Sequence, residues 1–151
     1  MGARELVLLA LLGALLWVSK MALAWLPNIE PVSLLLVVYT VVLGWRVLAP
    51  LYVYVAMELL IWGIGFWSIC YTYVWLVLVL LAMVFRRMES PLGWAVLSGA
   101  FGLSFGALCA LVYWVSGGWA FALPWSVSGI PFHLLHIPGN LAISVVFSRP
   151  C

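Results

Sequence analysis

Apolar residues fill long uninterrupted stretches of the chain, and the few polar or proline positions between them mark where each stretch ends. The stretch from 4 to 25 stops before the sequence NIEP at 28–31, and the stretch from 32 to 48 stops near Pro50. Proline opposes the continuation of a helix, so both points are predicted breaks. A helix that crosses the hydrocarbon core of a bilayer needs about 20 residues. Both stretches therefore predict membrane-spanning helices.

The apolar stretch from 51 to 85 is too long for one crossing. A single helix of this length would extend about 52 Å, against a hydrocarbon core of about 30 Å. We therefore expect the chain to reverse near 65–73, which divides the stretch into spans over 51–66 and 70–86. Two more stretches, 92–115 and 126–147, complete the pattern. The sequence predicts an all-α integral membrane protein with a single domain, residues 1–151, and six transmembrane helices.

The basic residues indicate how these spans are oriented. Cytoplasmic loops of membrane proteins carry an excess of Lys and Arg. With the N-terminus in the cytoplasm, every arginine falls on the cytoplasmic side and only Lys20 falls near the outer side. Five or seven spans would break this segregation, so we expect both termini to be cytoplasmic. The arginines are Arg4, Arg46, Arg86, Arg87 and Arg149.

Composition agrees with a lipid environment and excludes several functions. Hydrophobic residues make up 68% of the chain and charged residues 7%, whereas a soluble domain is roughly 45–50% apolar and about 25% charged. The six basic residues form no patch that would bind nucleic acid. A G-x-x-x-x-G-K-[ST] loop is absent from the sequence, which excludes ATP binding of that type. Six short spans without an internal repeat also favour a binding subunit over a complete active transporter.

Two ionisable residues are expected near the middle of the bilayer, Glu58 in the third span and His136 in the sixth. Ionisable groups inside spans are costly and usually serve function. Helical spacing places Tyr54 and Trp62 one turn to either side of Glu58 on the same face.

The segment GIPFHLLHIPGN at 129–140 carries a similar stripe. His133, His136 and Asn140 lie on one side of a helix at this spacing, and two prolines in the segment loosen it and free carbonyl groups. We interpret the stripe as one wall of a polar, aromatic cavity reached from outside, which Glu58 shares. The simpler alternative is that these side chains join helices through hydrogen bonds.

A metal-dependent intramembrane enzyme is another alternative, with His133, His136 and Glu58 as ligands, because three protein ligands suffice for a catalytic zinc site. The H-E-x-x-H pattern of metallopeptidase helices is absent, which disfavours it. A structural accessory protein that binds no small molecule is a further alternative.

Nearly the whole chain resembles the substrate-binding S components of energy-coupling factor (ECF) transporters, which import vitamins in bacteria. The resemblance is carried by six spans in a small protein, by Ala10-x-x-x-Ala14 in the first span, and by three longer segments. It departs from the family at His133, where members often carry an acidic residue. The segments are LPNIEPVSLL, YVWLVLVLLAMVFRR and SGIPFHLLHIPGN.

This resemblance implies a subunit of the bacterial plasma membrane that binds a vitamin or related micronutrient, without a cofactor or catalysis of its own. A transmembrane T component, in contact with Ala10 and Ala14, and two cytoplasmic ATPases would drive uptake. Asn28 and Glu30 would gate the pocket. The later spans and the loops before them would supply most ligand contacts, with Trp67, Tyr71, Tyr73, Trp114 and Trp125 as candidates.

Aromatic side chains with few charges suit a flat heteroaromatic ligand held by stacking and a few hydrogen bonds. Because Glu30 and Glu58 are available to meet a cation, we expect the ligand to be neutral or cationic.

Overall fold

A computed structural model describes residues 2–24 and 31–129 of the chain. Asn28, Glu30, His133, His136 and Asn140 lie outside these described residues, as does most of the span predicted over 126–147. The described residues form helices joined by short connections and contain no strand, which confirms the predicted all-α class. The α-helices are α1 (Ala3–Ala22), α2 (Pro31–Leu43), α3 (Leu48–Trp62), α4 (Phe66–Val84) and α5 (Pro91–Gly117).

Four helical stretches in the described part of the chain are long and apolar enough to cross a membrane. They are Ala3–Ala22, Pro31–Trp62, Phe66–Val84 and Leu92–Gly117. The second stretch is not one continuous α-helix, because a 3-10 helix, Gly44–Val47, separates α2 from α3. Gly44 has a φ of 60°, a left-handed conformation that glycine adopts without the steric strain of a side chain. The sequence pattern suggested a break near Arg46 and Pro50. In the structure the break comes earlier, at Gly44.

The described residues up to Arg87 form one compact unit, and a second unit begins at Met88. In the first unit α1 packs against α2 and α3, and α4 also packs against α2 and α3. Its core consists mainly of aliphatic side chains that are fully buried, and these include Leu16, Val32, Leu36, Leu51, Val74, Leu78 and Val79.

Contacts along α1 and α3 show that these two helices run in the same direction. Near the start of α1, Glu5 Oε1 lies 3.2 Å from Arg46 Nη1, which precedes α3. Near its end, Lys20 contacts Glu58 in the last turns of α3. The helices approach closely between these points, where Gly13 is buried against α3.

The helices α3 and α4 form an antiparallel hairpin closed by the three residues 63–65. Gly63, with a φ of 78°, ends α3, and its carbonyl accepts a 2.7 Å hydrogen bond from the Ser68 hydroxyl in the first turn of α4. At the far end of α4, Arg86 Nε donates to the Val41 carbonyl at 3.0 Å. Arg46 and Arg86 therefore lie at one end of the first unit, and Lys20 and the 63–65 connection at the other.

The second unit contains α5 and a further helix described over 119–129. The Ser90 hydroxyl caps α5 by accepting a hydrogen bond from the Gly93 amide at 3.2 Å. Gly118 ends α5 with a φ of 65°, and its carbonyl accepts the amides of Phe121 and Ala122. A new helix therefore begins directly after Gly118, where the sequence pattern suggested a loop as far as residue 126.

Candidate functional site

An ion pair is buried in the first unit between α1 and α3. Lys20 Nζ lies 2.7 Å from Glu58 Oε2, and the Glu58 side chain is only 3% exposed. The lysine side chain is 23% exposed, so Lys20 is the less buried member of the pair. A buried carboxylate is very costly unless it is paired, and Lys20 provides that pairing.

The sequence of α3 explains why Glu58 faces inward. Leu51, Tyr54, Val55 and Glu58 are all buried, and their spacing of three and four residues places them on one face of the helix. The carboxylate therefore occupies a position that would otherwise hold an apolar core residue. Lys20 lies in the last turn of α1, and its long side chain reaches this face.

Tyr71 of α4 is a further contact of the Lys20 ammonium group. Lys20 Nζ lies 3.4 Å from the Tyr71 hydroxyl, to which it donates, and 4.7 Å from the centroid of the ring. An ammonium group this close to an aromatic ring is attracted by its quadrupole. Lys20 thus links α1 to both helices of the α3–α4 hairpin.

Four aromatic rings surround this point, and we call Tyr54, Trp67, Tyr71 and Trp75 the aromatic cluster. Tyr71 lies at its centre, with ring centroids 5.4 Å from Trp67, 5.6 Å from Trp75 and 6.3 Å from Tyr54. Tyr54 also meets Trp75 edge-on at 6.2 Å. Trp67 is 44% exposed, whereas the other three rings are buried. The cluster therefore extends from the core to the surface.

The second carboxylate oxygen of Glu58 takes no part in the contact with Lys20. Glu58 Oε1 is buried and has no hydrogen-bond partner among residues 2–24 and 31–129. A carboxylate can accept several hydrogen bonds. This buried oxygen is therefore an unused acceptor close to the ammonium group of Lys20.

The structure brings together four of the residues that the sequence suggested as ligand contacts, Tyr54, Glu58, Trp67 and Tyr71. Trp62 ends α3 and is 64% exposed. Tyr73 is half-buried on α4.

The other suggested contact residues lie in the second unit or on the outside of α1. Tyr113 stacks on Trp125 with a centroid distance of 4.6 Å, and Trp114 lies 6.1 Å from Trp119. On α1, Ala10 is exposed and Ala14 is half-buried.

Two residues of the site were missed by the sequence reasoning. The sequence pattern places Lys20 near the outer side, where it could meet an anion, whereas in the structure it is the partner of Glu58. The sequence does contain a signal for this pairing, because Lys20 lies at the end of one predicted span and Glu58 is the carboxylate of another. Trp75 follows Tyr71 by one helical turn, and that spacing also marks it as a neighbour.

Glu58 lies closer to one end of its helix than the spacing of the predicted span suggested. Because α3 ends at Trp62, Glu58 lies about 6 Å along the helix axis from that end. Within the described residues, no group of three His, Cys, Asp or Glu side chains is placed to hold a metal ion.

Comparison of the chain with protein-family models, with curated proteins and with solved structures finds no match. The geometry of the Lys20–Glu58 pair and the aromatic cluster is therefore the basis for inferring function.

Proposed function

We propose that this protein is a membrane-embedded binding subunit that takes up a small, flat molecule such as a vitamin. One observation carries the proposal, which is the buried Lys20–Glu58 ion pair surrounded by the aromatic cluster. Small-molecule sites are mostly apolar and aromatic, with a few polar groups that orient the ligand.

Stability alone is a weak reason to retain such a pair. Taking two charges out of water carries a desolvation penalty that can exceed their attraction, and well-packed apolar residues often serve as well. Ionisable groups in membrane-spanning helices usually mark a binding site or a transport path. The pair therefore supports a functional role better than a structural one.

The family resemblance supplies the rest of the proposal. The chain would be an S component of six spans with both termini in the cytoplasm of a bacterium, working with a T component and two ATPases. Ala10, exposed on α1, and Ala14 would contact the T component, while Asn28 and Glu30 would gate access to the ligand.

Native mass spectrometry of the full chain, purified gently from the membranes of its own host, tests this proposal. The wild type should retain a molecule of vitamin size, and Glu58→Gln should lose it. Glu5→Gln is a matched control, since Glu5 also pairs with an arginine but lies at the opposite end of the first unit. A wild-type protein without any retained small molecule would contradict the proposal.

A further inference from the structure

We infer that the Lys20–Glu58 pair recognises an electrically neutral, flat ligand through an N–H donor adjacent to a carbonyl acceptor, as in a carboxamide or a lactam. This inference rests on the proposed binding function and names the class of ligand. The sequence predicted a neutral or cationic ligand, and the inference restricts the ligand to a neutral one.

Charge balance is the first reason. The carboxylate of Glu58 is already neutralised by an ammonium group 2.7 Å away. A cationic or anionic ligand at this point would add an uncompensated charge to a setting of low dielectric constant, where such a charge is expensive. A neutral ligand avoids this penalty.

The hydrogen-bonding groups left at the pair are the second reason. Lys20 has three N–H donors, of which one points to Glu58 and one to Tyr71. Glu58 Oε1 is buried without a hydrogen-bond partner among the described residues. Among the described residues the pair thus combines an unused N–H donor with an unused acceptor oxygen that is buried, and the complementary edge of a ligand is an acceptor beside a donor.

The shape of the surroundings is the third reason. The ammonium group lies 4.7 Å from the centroid of the Tyr71 ring, and the partly exposed ring of Trp67 lies 5.4 Å from that of Tyr71. Flat rings interact favourably with such side chains by offset stacking or edge contacts. A planar ligand would place its amide edge at the ion pair and its ring against the aromatic cluster.

Three probes of the same shape and different charge test the inference, namely benzamide, benzoate and benzamidinium. Each would be titrated into the full wild-type chain in detergent by isothermal titration calorimetry, after a native mass spectrum has recorded the occupancy of the site. Benzamide should bind about tenfold more tightly than either charged probe, because only benzamide matches both hydrogen-bonding groups without adding charge.

Substitutions should change this preference in opposite directions. Lys20→Met leaves the carboxylate alone, so benzamidinium should become the tightest probe. Glu58→Gln leaves the ammonium group alone, so benzoate should become the tightest. Arg46→Met and Glu5→Gln remove the Arg46–Glu5 ion pair and should leave the wild-type order unchanged. A merely structural pair would not reverse the selectivity for charge.

The outcomes separate this inference from the function on which it rests. Wild-type protein that prefers benzoate or benzamidinium, or that binds none of the probes, overturns the inference even if the single variants fail to fold. A retained natural molecule that is charged also overturns it, but leaves the binding function standing. An empty protein that binds none of the probes contradicts both.

Discussion

Gly13 of α1 lies so close to Val53 of α3 that a Cβ atom on the glycine would be 2.6 Å from the Cβ of the valine. The same atom would lie 2.8 Å from the carbonyl oxygen of Pro50. Small residues allow helices in membranes to approach in this way. Since Gly13 precedes Lys20 by two helical turns on the same helix, this contact helps to set the distance at which Lys20 meets Glu58.

Substituting Gly13 should therefore loosen the ion pair as well as the helix packing. We expect Gly13→Ala to lower the free energy of unfolding by about 1–3 kcal/mol, since the backbone of α3 must move. Gly13→Leu should have a larger effect and reduce ligand retention. Thermal unfolding in detergent measures the first effect and native mass spectrometry the second. Ala10→Leu, at an exposed position of the same helix, is the control and should leave stability unchanged.

The two members of the ion pair should be strongly coupled in stability. Lys20→Met leaves a buried carboxylate unpaired and should reduce the free energy of unfolding by about 3–5 kcal/mol. Glu58→Gln should cost less, because the partly exposed Lys20 can still reach water. In the double variant Lys20→Met/Glu58→Gln most of the loss should be recovered. Unfolding of all four proteins forms a double-mutant cycle, and additive effects would contradict the coupling.

The positions of the arginines predict the orientation of the first unit. Arg46 and Arg86 lie at one end, with Lys20 at the other, so the positive-inside rule places the arginine end in the cytoplasm. An epitope tag inserted after Arg87 should be reached by antibody only in permeabilised cells. A tag in the 63–65 connection should be reached by antibody in spheroplasts, in which the plasma membrane is intact and its outer face is accessible. The opposite pattern of labelling would show that the orientation is reversed.

Gly44 should be sensitive to substitution because of its backbone conformation. Its φ of 60° costs roughly 1–2 kcal/mol for a residue with a Cβ atom. That atom would also lie 3.2 Å from Arg86 Nη1. We expect Gly44→Ala to reduce the free energy of unfolding by this amount. Gly65→Ala is the matched control, because Gly65 has an extended backbone and open space around its Cα. An equal loss in both variants would show that conformation at Gly44 is not the cause.

The sequence by itself determined the helical class and the buried face of α3. Long apolar stretches have no alternative to helices in lipid, since every backbone polar group must be satisfied internally. The three- and four-residue spacing also places Tyr54 beside Glu58, because helical periodicity is a local property. The same reasoning identified Glu58 as a candidate, since a carboxylate in an apolar stretch is costly anywhere.

Only the tertiary structure decided what Glu58 meets. Lys20 is 38 residues away from Glu58 in the chain. The periodicity within α1 or within α3 does not specify how far apart the two helices lie. That distance depends on where the helices break and how closely they pack, as at Gly44 and Gly13. Trp75 belongs to the aromatic cluster for the same reason. Periodicity assigns residues to a face of one helix, whereas packing between helices decides which faces meet.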